Sequence, residues 1–215
     1  YRGLRPFDAA DADFYFGRDA VVAEAVRRLE EFPLLLIVGP SGSGKSTLIK
    51  IINGAYLPDS GSLDIDGEPL KFENPSDAFL KGMATVYQEM SLIPGLSVAE
   101  NILIGRYETN GAFVDWKKTY AKAQSLLDEM GIELPLRELV VNLSMWQCQV
   151  VEIVKAMSFR PKVILLDEPS SALAQHETQI LFKLIRELKK KDVIIIYITH
   201  RLDEALATAQ KVMAR

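Results

Sequence analysis

An α/β fold, a mainly parallel sheet with a helical lobe inserted into it, is predicted by three observations. Short apolar runs at Leu34 to Val38, Lys162 to Asp167 and Asp192 to Thr199 each read as a strand covered on both faces. Helical stripes lie between them, the clearest being Ile180, Leu181, Leu184, Ile185 and Leu188 within His176 to Lys190. The first run feeds GPSGSGKST, Gly39 to Thr47, a glycine-rich turn that opens into a helix over Lys45 to Asn53. Strand, helix and strand in succession give a parallel core with right-handed crossovers.

The elements follow in order. Asp19 to Glu31 carries Val22, Val26 and Leu29 at helical spacing, with charges on the other face. Gly54 stands just beyond the helix that follows the glycine turn, where a left-handed residue ends helices. Ser60 to Leu70 alternates around an Asp66-Gly67 pair, which predicts a hairpin. From about Asn74 to Phe159 the pattern is mainly helical, over Pro75 to Lys81, Ser97 to Leu103, Asp115 to Met130 and Ser144 to Ser158, with one short strand at Ala84 to Tyr87. The expected organisation is 1–50 for the N-terminal helix, first core strand and glycine loop, 51–88 for hairpin and core, 89–159 for the helical lobe, and 160–215 for the second half of the core. A start at Tyr1 and an end inside the strand-like KVMAR read as a fragment.

Composition narrows the function. A net charge of −4 and a sequence pI near 5.4 supply no overall basic field for nucleic acid. No apolar run approaches the roughly 18 residues of a membrane span, so direct membrane insertion is not expected. The single cysteine, Cys148, reads as a small buried side chain, and its isolation points to a reducing compartment.

The glycine turn has the pattern G-x-x-x-x-G-K-[ST] of a P-loop nucleotide-binding core, met by Gly39, Gly44, Lys45 and Ser46. Glycines let successive backbone N–H groups converge on phosphate oxygens, so Pro40, Ser41, Gly42, Ser43 and Thr47 belong to the same cradle. The helix behind it adds its positive N-terminal end. Lys45 would bridge β- and γ-phosphates, and the Ser46 hydroxyl would bind Mg²⁺.

Farther along, VILLDE runs four apolar residues into Asp167 and Glu168, which puts two carboxylates where open α/β sheets bind ligands. Asp167 suits Mg²⁺, directly or through water, and Glu168 suits a general base toward the attacking water. His200 ends IIIYITH. A lone histidine is usually structural, but a strand end beside the carboxylate pair would bring this one within reach of a γ-phosphate. Gln88, after the strand in ATVYQEM, suits Mg²⁺ and the water.

Taken in order, GPSGSGKST, VYQE, LSMWQ, ILLDEP, SAL and ITH resemble the nucleotide-binding domain of ABC transporters. Between Gly54 and Lys211 the resemblance is to cassettes of bacterial monosaccharide importers of the ribose and galactose type. It implies ATP and Mg²⁺ as cofactors, a cytoplasmic location peripheral to the inner membrane, and transporter membrane subunits as partners. It also implies a second ATP-binding cassette, whose Ser144 to Gln147 segment closes over ATP held by Gly39 to Thr47 of the first. Glu168 would be the base, His200 would contact the γ-phosphate, and Gln88 would couple the site to a membrane subunit.

Departures from that pattern are specific. Met145 and Trp146 replace the two glycines of the usual LSGGQ, and Ala174 replaces an aspartate after SAL. The antiparallel strands that open such a cassette are expected to be missing. Residues 1 to about 50 instead resemble the start of STAND-type signalling ATPases, whose Phe-Gly-Arg stretch lies against adenine; Phe16, Gly17 and Arg18 match it. Two further readings follow, an ATP-binding signalling switch with little turnover, and a chimeric fold with no biological substrate.

Overall fold

The strand β1 (Leu34–Val38) and the helix α1 (Lys45–Ile52) open the part of the chain that the computed structural model describes, which comprises residues 34–38, 45–57, 63–65, 68–191 and 193–200. The expected helix over 19–31, the Phe16, Gly17 and Arg18 stretch and the cradle from Gly39 to Gly44 lie outside the described residues. After α1, β2 (Leu63–Ile65) and β3 (Glu68–Leu70) form the expected hairpin, with Ile65 opposite Glu68. The chain continues through α2 (Pro75–Leu80), β4 (Met83–Val86), α3 (Val98–Ile102), β5 (Thr109–Asn110), β6 (Phe113–Val114) and α4 (Trp116–Glu129). A 3-10 turn at Val140–Asn142 leads into α5 (Met145–Met157), then β7 (Val163–Asp167), α6 (Gln175–Lys189) and β8 (Ile194–Thr199).

The main described sheet has the order β1-β8-β7-β4, with every pairing parallel. All four strands therefore end on one edge. Alternation along the strands sends residues to two separate apolar layers, as the continuous runs of Val, Ile and Leu require. Val163, Leu165, Ile196 and Ile198 pack with Ile49 and Ile52 of α1 and with Phe72 and Ala78. Ile164, Leu166, Ile195 and Tyr197 pack on the other side with residues of α3, α4, α5 and α6.

Local signals set the helix ends. Asn74 caps α2 by accepting the Asp77 N–H at 3.0 Å, and Pro75 supplies the first helical residue, whose missing N–H has no helical partner to lose. Ser97 and Glu100 form a reciprocal capping box at α3. Asp115 caps α4 through the Lys118 N–H at 3.0 Å. That bond holds the Asp115 carboxyl below its usual range.

At α6 the cap is half built. Oε2 of Glu177 accepts the Ala174 N–H at 2.8 Å, but the Ala174 methyl has no oxygen to accept an N–H in return. Ala174→Ser is expected to stabilise the fold by about 1 kcal/mol. For a chain of this size that raises the thermal midpoint by roughly 2–4 °C, readable by calorimetry. An unchanged midpoint would mean that the end of α6 does not limit stability.

Candidate functional site

The parallel order brings the sequence-predicted residues to one edge. β1 ends at Val38, and Lys45 and Ser46 are the first two residues of the helix that follows. On the neighbouring strand, Thr199 ends β8 and His200 comes next. β7 ends at Asp167, paired with Ile198, and Glu168 comes next. β4 ends at Val86, paired with Leu166, and Gln88 is exposed two residues beyond it. Four sequence segments more than 30 residues apart thus meet at the carboxyl ends of adjacent strands, where ligands of such sheets sit.

Two of these side chains touch. Nδ1 of His200 lies 2.9 Å from Oε1 of Glu168, with the carboxylate mostly shielded and the imidazole 44% exposed. Glu168 has φ 48°, the left-handed region that costs a non-glycine residue about 1–3 kcal/mol. Its N–H donates to the Ile198 carbonyl at 2.9 Å, which fixes this turn onto β8. The next turn is fixed too: the Ser170 hydroxyl and the Tyr197 hydroxyl, both buried, are 2.7 Å apart. A strained residue held by its neighbours in this way presents its carboxylate at a set position.

Gln88 sits between two pinned residues. On the core side, Nδ2 of the buried Asn53, just past α1, donates to the Tyr87 hydroxyl at 2.7 Å. On the lobe side, Glu152 of α5 accepts from the Ser91 backbone N–H and, at 3.2 Å, from its hydroxyl.

Ser144 and Gln147 occupy the N-terminus of α5, in the helical lobe. Oε1 of Gln147 accepts from the Ser144 N–H at 2.9 Å and from its hydroxyl at 3.0 Å, so the pair is bonded to itself. Beside them the two bulky residues diverge. Met145 is exposed, whereas Trp146 turns inward and packs against the core of the lobe. Trp146 is therefore partly covered by the lobe at the helix end.

Cys148 is half-buried, less enclosed than its residue type suggested. Burial pushes its thiol up, and the nearby Glu152 carboxylate adds to that. The residues that sequence reasoning missed are Ser91, Glu152 and Lys155, because a contact across 61 residues leaves no local pattern.

Comparison with known proteins agrees with this geometry. The ABC transporter family profile matches residues 26–171. The chain belongs to the ABC transporter family. Among curated relatives of this family, the putative ribose/galactose/methyl galactoside import ATP-binding protein 1 of Agrobacterium fabrum is 44% identical over 176 residues, 82% of this chain and 35% of that protein. Ribose import ATP-binding protein RbsA 1 of Streptomyces avermitilis is 40% identical over 177 residues, 82% of this chain and 34% of its own length. The chain spans about a third of the length of these relatives.

Among solved ABC structures, a nucleotide-free ATP-binding cassette superposes with a TM-score of 0.68 at 29% identity, covering 81% of this chain and 73% of that one. The fold is that of an ABC cassette, a mostly parallel α/β sheet with a helical lobe. None of the described helices is long and apolar enough to cross a membrane.

Proposed function

We propose that this chain is the ATP-binding and Mg²⁺-dependent ATP-hydrolysing domain of a sugar importer. The observation that carries the reading is the Glu168–His200 contact at the carboxyl ends of β7 and β8, with β8 beside the strand that leads to α1. Residues Gly39 to Thr47 would bind the phosphate chain, and Lys45 its β- and γ-phosphates. Glu168 is the general base: Nδ1 of His200 holds Oε1, leaving Oε2 to take a proton from the attacking water.

Mg²⁺ takes oxygen ligands; the Asp167 carboxylate and the Gln88 amide oxygen follow the adjacent strands β7 and β4, and with the Ser46 hydroxyl they would hold the ion. Bound there, the ion would neutralise charge developing on the phosphoryl oxygens.

Sugar import is the finer part of the proposal, supported by ribose and galactose import relatives that match more than four fifths of the chain. That extent of likeness favours import over a signalling switch or a chimera without substrate; Phe16, Gly17 and Arg18 would in either case flank adenine. A second cassette would bring Ser144 and Gln147 to the nucleotide, and membrane subunits would anchor the pair peripherally on the cytoplasmic side. The inward packing of Trp146 is compatible with that closure.

Phosphate release from Mg²⁺-ATP tests the reading. His200→Ala is expected to lower kcat by on the order of 100-fold, because the base loses the group that orients it. Equal kcat in the two proteins would remove His200 from the site.

A further inference from the structure

We infer that Glu152 and Lys155 are positioning residues that make the helix headed by Ser144 carry the far end of the Gln88 segment. The inference rests on the reading of the strand-end site as an ATP-hydrolysing centre. Its basis is a polar clamp inside the lobe. Glu152 is buried on α5 and accepts both Ser91 donors. Nζ of Lys155, one turn on, donates to the Ser91 hydroxyl at 2.9 Å and to its carbonyl at 3.3 Å, and lies 3.9 Å from Glu152. A buried carboxylate needs such partners, since an unpaired charge would be costly in the interior. Each group of the clamp therefore holds the others in place.

The segment after Ser91 is equally fixed. Asn101, buried on α3, accepts the Ile93 N–H at 2.7 Å and donates to the carbonyls of Ile93, Leu96 and Ser97 at 3.0 to 3.2 Å. On the other side of Gln88, Tyr87 is bonded to Asn53 at the end of α1. Only Gln88, Glu89 and Met90 separate a residue fixed to the core from one fixed to the lobe. Movement of α5 is thus passed directly to Ser91, three residues from the proposed metal and water ligand. The helix end that carries Ser144 and Gln147 is thereby coupled to the segment that carries Gln88.

Hydrogen exchange and steady-state kinetics on the same variants test the clamp. Glu152→Ala is expected to speed amide exchange at 88–91 by about tenfold or more, the loss of charge-assisted hydrogen bonds. It is expected to lower kcat about tenfold while KM for Mg²⁺-ATP stays within about twofold, because positioning and not nucleotide binding is lost. Glu152→Gln keeps an acceptor oxygen for the Ser91 N–H and should recover most of both effects. Lys155→Met, which retains the aliphatic stem, should give the same signs and decides the matter if Glu152→Ala does not fold. Unchanged exchange at 88–91, or a rise in KM with kcat unaltered, would overturn the inference. A wild-type chain without turnover would sink the ATPase reading instead, while the exchange data would still report on the clamp.

Discussion

Glu168→Gln is expected to leave Mg²⁺-ATP binding by the chain intact while abolishing turnover, a loss of about 10²–10⁴-fold for a general base. Glutamine has the same size and can still accept from His200 at the 2.9 Å position now held by Oε1. The turn itself does not depend on the side chain, because the Glu168 N–H bonds the Ile198 carbonyl and Ser170 bonds Tyr197. What disappears is the basicity. Single-turnover phosphate release, compared with nucleotide affinity in the same preparation, separates the two effects. Turnover within a few-fold of the parent would mean that another group activates the water.

Among the described glycines, Gly54 should be the least tolerant of alanine. Gly54 has φ +75°, and an added Cβ would lie 2.9 Å from the Asn74 carbonyl oxygen and 2.9 Å from Cβ of Phe72. The backbone conformation costs alanine about 1–3 kcal/mol. Relief of the clash would have to move backbone, adding about 1–3 kcal/mol as overpacking does. The damage would reach the site, since the neighbouring Asn53 holds Tyr87 beside Gln88. Thermal unfolding should show a midpoint lowered by roughly 2–4 °C per kcal/mol lost. A midpoint equal to that of the parent would mean that α1 can shift away from Asn74 at no cost.

Much of this arrangement was legible in the residues. Apolar runs of five or six residues cannot satisfy a helical period with a polar face, so LLLIV, VILLD and IIIYIT read as buried strands and are found as β1, β7 and β8. Because ligands of parallel sheets gather at strand ends, Glu168 and His200 could be expected to meet before any distance was known. Helix limits came within a residue or two, and Gly54 follows α1 in the left-handed conformation expected of it. The β5–β6 hairpin was not visible, because strands of two residues carry no period. Trp146, which stands where the usual LSGGQ has a glycine, packs in part against the lobe core. The orientation of a partly buried aromatic depends on residues from other helices, which local spacing does not encode. The Glu152–Ser91 clamp was invisible for the same reason: its partners are 61 positions apart.

The central claim is that the strand-end edge is a working Mg²⁺-ATP site headed by Lys45. Titration calorimetry of Mg²⁺-ATP into the purified chain, with Lys45→Ala as the control, tests it most directly. The account predicts micromolar binding that Lys45→Ala removes. A cooperatively folded chain that binds no nucleotide, or one that binds it equally well without Lys45, would contradict it.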